Sequence, residues 1–426
     1  MIHDLTGCLS CGHGNLQPII NFGETPLADA LIREEDLDKQ EILAKLELVF
    51  CPACSLVQIN QVVSPEVLFC RDYPYYSSVS PSLMKHFRDS AYRIIASRNL
   101  NSNSLVIEAA SNDGYMLRTF SDAGIQVIGI DPAEGPATIA QRRGIYTLNT
   151  FFCRALAQEF ARYGKRADVF LANNVLAHVP ELNDFVEGIR IVLKDTGIAV
   201  IEVPYVVDLV DHVEFDTIYH QHLCYFSVTA LDNLFRRHSL FLNHVERTTI
   251  HGGSLRLFVE LRENVGPSVS DVLASERERK VSGIEFYQDF AAKVQNVRDE
   301  LREMLTTLKS AGHSIAGYGA AAKATTMMAY VGIDRSHLDF IADLSPAKHF
   351  KYMGGNRIPI VPPSEIMERM PDYVLILAWN FGREIMQQLR KYAEQGGKFI
   401  IPLPEPTVVE YDEMTKDFAL LADNRT

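Results

Sequence analysis

The chain has 426 residues, 47% of them apolar and 22% charged, an ordinary globular composition with more length than one core needs; at about 150 residues per domain it predicts two or three domains. Its 41 basic against 54 acidic side chains leave a formal charge of −13, which argues against a broad phosphate-tracking surface and so against a nucleic-acid polymer as partner. No window approaches the roughly 18 uninterrupted apolar residues of a membrane span, and the polar start MIHDLTGC has no signal-peptide core. A soluble cytoplasmic protein with no membrane partner is expected, and seven cysteines, an odd number, do not suit a secreted disulfide framework.

In chain order, the first feature is two matched CxxC pairs, Cys8 with Cys11 and Cys51 with Cys54. Each pair puts two thiolates on one tight turn, and four thiolates close a tetrahedral structural zinc site with no open position for chemistry. Gly12 and Pro52 suit such turns. A redox dithiol, which needs one pair, and unliganded core thiols are the competing readings. Cys70, Cys153 and Cys224 stand alone and read as small core residues.

An aromatic, proline-punctuated stretch, FCRDYPYYSSVSPSL, predicts irregular structure, and a helical pattern runs from 82 to 98. From residue 104 short β-branched runs alternate with helical stretches, in SLVIEAASNDG, IQVIGIDPA, ADVFLANNVLAHV and GIAVIEVPY, which predicts a parallel α/β sheet. Residues 270–311 read as one or two long helices. A second Rossmann-like series follows, in HSIAGYGAAAK, LDFIADLSPAK, YVLILAWN and KFIIPLP, with helical stretches TTMMAYVG and REIMQQLRKYAEQG between them. The fold class is thus α/β, with a zinc-binding lobe over 1–80, a Rossmann-like lobe over 81–265 and a second over 266–426.

In the turn EAASNDGYML, Glu108, Ser111, Asn112 and Gly114 follow the first central strand, and Asp131 closes the next. A strand-to-helix glycine turn with a ribose-binding carboxylate suits an adenosine-containing cofactor, but the GxGxxG set of dinucleotide sites is missing. Acidic Glu108, Asp113 and Asp131 favour a cationic sulfonium ligand over a pyrophosphate. The plainer reading makes Asp113 a helix N-cap and Asp131 a turn residue. Asn173, Asn174 and His178 of NNVLAHV fall at the sheet edge where doubly wound folds bind ligands.

The segment HVEFDTIYHQHLCYFS gathers His212, Tyr219, His220, Gln221, His222 and Tyr225. Metal binding and a packed aromatic loop are both open, but imidazole and phenol side by side suit proton transfer near neutral pH. Further on, the HGGSLR loop offers Arg256 to an anionic group. The turn GYGAAAK, with Tyr318, Ala320 and Lys323, offers a helix N-terminus.

Taken together, the paired CxxC lobe, YYSS, the SNDG turn, NNVLAHV, FDTIYHQHLCYFS, HGGSLR and GYGAAAK resemble, in order and over essentially the whole chain, the sugar C-methyltransferases of deoxysugar biosynthesis. The resemblance implies a zinc-containing, S-adenosylmethionine-dependent enzyme that methylates C-3 of a nucleotide-linked 4-keto-6-deoxysugar through an enolate. It places Tyr76, His178, Tyr219, Gln221 and His222 at the catalytic centre, with His222 or Tyr219 as base. Glu108, Ser111, Asn112, Gly114, Asp131, Asn173 and Asn174 would contact the methyl donor. Arg256, Tyr318, Ala320 and Lys323, with Lys348 or Lys351, would receive the nucleotide diphosphate in a local cationic pocket, with the chemistry in the cleft between the last two lobes. Two departures stand out: the family's YHEH reads YHQH here, and Ala109 and Ala110 stand where a glycine is common. The alternatives are an NAD-dependent nucleotide-sugar oxidoreductase, with Asp343 as ribose clamp, and a non-catalytic nucleotide-sugar-binding protein. A monomer or small homo-oligomer is expected in each case.

Overall fold

A computed structural model describes residues 2–70 and 76–411. The backbone divides into two compact units, one of Met1–Pro18, Leu48–Val207 and Gln221–Phe286, the other of Ile19–Glu47, Asp208–His220 and Tyr287–Thr426. In place of three consecutive lobes, residues 19–47 and 208–220 leave the first unit and return to it. Aromatic burial accounts for both excursions. Phe22 from one and Phe215 from the other stack at 6.2 Å, and both meet the edge of Tyr330 in the second unit, at 5.0 and 5.8 Å.

The first unit is built on a seven-stranded sheet. Its strands are β1 (Leu105–Ala109), β2 (Gln126–Ile130), β3 (Thr147–Leu148), β4 (Ala167–Asn173), β5 (Leu193–Pro204), β6 (Phe241–Thr248) and β7 (Ser254–Glu260). They lie in the order β3-β2-β1-β4-β5-β7-β6, the first five parallel and β7 antiparallel to both its neighbours. The runs LVIEA and VFLA are buried throughout, as expected of parallel strands covered on both faces. The hairpin that inserts β7 between β5 and β6 departs from the 3-2-1-4-5-6 order of dinucleotide folds.

Helix α1 (Pro81–Arg98) matches its sequence pattern to within a residue, starting on a proline and ending at Asn99 in the left-handed region. The N-terminal lobe does not stand apart: Leu48–Phe50 pairs with Val57–Ile59, which pairs with Cys224–Tyr225 just before helix α3 (Val228–Arg237). Helix α2 (Leu182–Val192) and α3 both touch the cysteine turns, as described below. The long helical stretch resolves into two helices, Pro267–Glu278 and Glu285–Ser310.

The second unit carries a six-stranded sheet of β8 (Ile315–Tyr318), β9 (Ile341–Ala342), β10 (Ile360–Val361), β11 (Tyr373–Ile376), β12 (Lys398–Ile401) and β13 (Thr407–Val409). The order is β10-β9-β8-β11-β12-β13, parallel except for β13. This is the doubly wound 3-2-1-4-5-6 order, and it reverses between β8 and β11. Helix α4 (Ala322–Val331) follows β8. REIMQQLRKYAEQG forms two short helices rather than one, Gly382–Gln388 and Arg390–Glu394. Their buried Ile385, Leu389 and Tyr392 cover the sheet with Phe340 and Phe399.

Candidate active site and metal centre

The four cysteine sulfurs lie within 4.8 Å of one another, with Cys8 and Cys54, and Cys11 and Cys51, at 3.5 Å. A zinc tetrahedron with bonds of about 2.3 Å has edges of about 3.8 Å, so the donor set fits a four-thiolate ion. The two turns are built alike. Gly12 donates to the Cys8 carbonyl at 2.8 Å and Ser55 to the Cys51 carbonyl at 2.9 Å, with Gly12 and Ser55 at φ +75° and +63°. The first unit clasps both: Asn183 of α2 donates to the carbonyls of Leu9 and Ser10 at 2.9 and 3.1 Å, Asn233 of α3 donates to that of Cys54, and Arg237 reaches the Ser10 hydroxyl.

At the end of β1, Glu108 is fully buried. Asn173, at the end of the adjacent β4, donates to its Oε1 at 3.1 Å, while its Oε2 has no partner. Burial pushes this carboxyl up to about 8, opposed by the Asn173 bond and supported by Asp131 and Asp113. The following turn alternates into the left-handed region at Ala110 (φ 49°), Asn112 (φ 49°) and Gly114 (φ 76°). Ala110 thus takes a conformation that favours glycine, where the family motif often has one.

Asp131 ties the turn to the next helix: its Oδ2 accepts from the Asn112 amide at 2.7 Å and its Oδ1 from that of Ala133 at 2.8 Å. Burial raises it to about 6 against those two bonds. Asp113 is not the N-cap of the plainer reading. It pairs with Arg143 at 2.9 Å and accepts from the Ser78 hydroxyl, while the Ser77 amide donates to Asn112 at 3.0 Å. Ser77 and Ser78 are thereby pinned over the turn, and the Tyr76 hydroxyl packs so close to Gly135 that a Cβ there would meet it at 2.9 Å; the first tyrosine of YYSS lies outside the described residues. The buried acceptors without partners, Glu108 Oε2, Ser111 Oγ and Asn174 Oδ1, suit a polar, cationic ligand such as S-adenosylmethionine.

Asn174 (φ 54°) turns the chain out of β4 into the short helix Leu176–His178. The His178 Nδ1 donates to the Gln221 carbonyl at 2.7 Å, and its ring meets that of His222 at 4.8 Å and Phe69 edge-on at 5.7 Å. Burial lowers His178 to about 4, against the backbone oxygens of Gln221 and Asn174. Leu223 donates to Ala177 at 2.7 Å and accepts from Ile59 at 3.0 Å, so the second half of YHQH is strapped to NNVLAHV. The structure thus joins His178 with His222, and Tyr225 stands 6.3 Å beyond. His220 belongs elsewhere: it is fully buried in the second unit with Nε2 on the Lys45 carbonyl at 3.1 Å. His212 is exposed and pairs with Glu214 at 3.3 Å.

Two expectations need correction. Arg256 is not on a ligand loop but on β7, 1% exposed, opposite Glu202 in the ladder. It donates to Glu202 at 2.9 Å, and His86 of α1 contacts the same carboxylate at 2.9 and 3.0 Å. Its Nε and Nη1 have no hydrogen-bond partner among the described residues, but at this burial, with its charge balanced by Glu202, the guanidinium is closed off inside the first unit. Tyr318 offers no side chain either, because its ring lies in the core of the second unit.

In that unit, Gly319 (φ 97°) lies against Ala378, whose Cβ would be 2.6 Å from an added Cβ. The close approach joins the ends of β8 and β11 where the strand order reverses. Ala320 is held through its carbonyl by Lys348 at 2.7 Å, and Lys348 also faces Asp343 at 3.8 Å. Ala321, the N-cap of α4, has no side-chain acceptor for the first helical amides.

The Lys323 Nζ is buried without a hydrogen bond, 4.0 Å over the Trp379 ring. Burial lowers its pKa, against Asp216 and Glu214 nearby. Burial raises those carboxyls to about 6 and about 7. The expected cationic pocket is therefore mixed in charge. Asp216, Glu214 and Trp379 were missed in the sequence, although Trp379 is the chain's single tryptophan.

Three family models match between residues 8 and 404: a zinc binding domain over 8–69, a methyltransferase domain over 84–242 and a C-methyltransferase C-terminal domain over 249–404. C-methyltransferase NovU of Streptomyces niveus is 34% identical over 412 residues, 96% of this chain and 98% of that protein. An uncharacterized methyltransferase of Mycobacteroides abscessus is 31% identical over 98 residues, 22% of this chain and 38% of that one. The solved magnesium protoporphyrin IX methyltransferase of Synechocystis PCC 6803, with bound SAM, is 14% identical and covers 42% of this chain and 79% of its own, at a TM-score of 0.32. With a full-length relative, a four-thiolate centre and a turn of buried acceptors, the chain belongs to the zinc-containing C-methyltransferases that use S-adenosylmethionine.

Proposed function

We propose that the substrate is a nucleotide-linked 4-keto-6-deoxysugar, methylated at C-3. The observation that supports this most is the pairing of His178 with His222 beside Asn173 and Asn174, in a chain whose second unit has a doubly wound sheet and an uncapped helix at its reversal point. The 4-keto group acidifies the C-3 proton; a base removes it, and the enolate carbon takes up the methyl group. Bound S-adenosylmethionine supplies that methyl as an electrophile. His222 or Tyr219 acts as base and the other donates to the enolate oxygen.

His178, neutral at working pH because burial lowers it to about 4, orients the Gln221–His222 backbone through Nδ1–H. Gln221 hydrogen-bonds but cannot serve as base. Glu108, Asn173 and Asp131 hold the methyl donor, while the first amides of α4, with Lys323, receive the diphosphate. Tyr76 closes the donor turn.

The test is mass spectrometry of 4-keto-6-deoxysugars linked to thymidine, guanosine and cytidine diphosphates. One member is expected to gain one methyl group, and His222→Asn to lose most of that turnover while binding S-adenosylmethionine as the parent does. No methylation of any member would sink the substrate assignment, and parental turnover in His222→Asn would remove His222 from the chemistry.

A further inference from the structure

Within the second unit, Tyr219 sits in a bend just after the single 3-10 turn Phe215–Thr217, in a segment where buried and half-buried residues alternate: Asp216, Ile218 and His220 are buried, Thr217 and Tyr219 half-buried. Each buried member is anchored. The Trp379 indole N–H donates to Asp216 Oδ2 at 2.7 Å, the Thr326 hydroxyl of α4 donates to the Ile218 carbonyl at 2.7 Å, and His220 is held on Lys45. Phe215, at the head of the segment, packs on Phe22 and Tyr330. Thr326 lies one helical turn beyond Lys323, and Lys323 covers Trp379. The helix whose N-terminus is assigned to the diphosphate therefore also carries the anchor of the tyrosine.

We propose that Thr326, Trp379 and Asp216 are positioning residues that fix Tyr219 relative to the Gly319–Lys323 turn, so that seating the nucleotide end of the substrate also sets the phenol. None of the three needs to touch the sugar. They act by holding the segment that leads into Tyr219, at the Asp216 side chain and the Ile218 carbonyl, and a displacement of about 1 Å at a reacting group costs up to a hundredfold in rate. The inference rests on the acid–base reading of Tyr219 given above.

The test uses the full-length protein, with thymidine-diphosphate-4-keto-6-deoxyglucose as probe and four variants: Thr326→Val, Thr326→Ser, Trp379→Phe and Tyr219→Phe. Thr326→Val and Trp379→Phe are expected to lower kcat by about tenfold to a hundredfold, with KM and S-adenosylmethionine binding within about twofold of the parent. Thr326→Ser, which keeps the hydroxyl donor, restores kcat. In Trp379→Phe the loss of the indole donor favours protonated Asp216, which faces Lys323 and Glu214 while Glu214 in turn meets His212, so the acid limb of the rate moves to higher pH, a change that loosened packing alone does not produce.

Parental kcat in Thr326→Val and Trp379→Phe, alongside a crippled Tyr219→Phe, would overturn the inference and leave the acid–base reading intact. Parental kcat in Tyr219→Phe would overturn both. Amide hydrogen exchange over residues 215–220 decides the anchoring without any turnover: faster exchange in Thr326→Val with parental exchange in Thr326→Ser supports it, and unchanged exchange in both rejects it.

Discussion

Glu108 carries the clearest electrostatic signature in the molecule, a fully buried carboxyl with one bonded and one unbonded oxygen, raised by burial to about 8. The sign follows from linkage. A carboxyl whose folded pKa lies above its unfolded value of about 4.3 stabilises the fold when protonated, and that contribution is lost as pH rises from about 4.3 toward 8. A cationic ligand at Oε2 favours the charged form, so near pH 7 the binding of S-adenosylmethionine should release a proton. Calorimetry in buffers of different ionisation enthalpy is expected to show a buffer-dependent binding enthalpy that disappears in Glu108→Gln, with affinity at least about tenfold weaker. A parental enthalpy with no buffer dependence would mean that another group meets the ligand. The position of Glu108 at a strand end was legible in the sequence. Its unpaired oxygen was not, because the Asn173 bond joins residues from different strands.

Among the elements, the cysteine turns were the most legible, since CxxC spacing alone limits two thiolates to one tight turn. The clasp by Asn183, Asn233 and Arg237 was invisible: those side chains converge from helices far along the chain. It makes the metal a support for the whole first unit. Cys51→Ser should therefore retain well below one zinc per chain by elemental analysis, and should also weaken S-adenosylmethionine binding and lower the thermal midpoint of the first unit, because about 10–16 kcal/mol of metal binding is coupled to folding in structural zinc sites. Full zinc retention would reject the four-thiolate site; zinc loss with parental donor binding would reject the coupling. The motif HGGSLR misled for a related reason. Its glycines suggested a ligand loop, but β7 pairs Arg256 with Glu202 across a ladder that residue spacing does not reveal.

Across the whole molecule, the strand-and-helix rhythm correctly indicated two Rossmann-like sheets, but the units are discontinuous in sequence. The second unit needs the excursions 19–47 and 208–220 to cover Tyr330 and to complete the Lys323, Trp379 and Asp216 cluster. A fragment starting at residue 266, where the strand-and-helix rhythm suggested a boundary, is expected to bind hydrophobic dye and to melt without a cooperative transition. A sharp transition close to that of the full-length protein would show that the excursions are dispensable.

Local chemistry accounts for what the sequence determined unaided: CxxC spacing, β-branched runs, glycine turns and the order of motifs specified the zinc site, the α/β class and the glycine turn after the first central strand, because each depends on residues close in the chain. Only the tertiary structure decided that His178 meets His222, that Arg256 and Tyr318 are committed to the interior, and that Asp216 and Trp379 flank Lys323. Those relations join residues tens to hundreds of positions apart, and burial and ladder register, rather than spacing, bring them into contact.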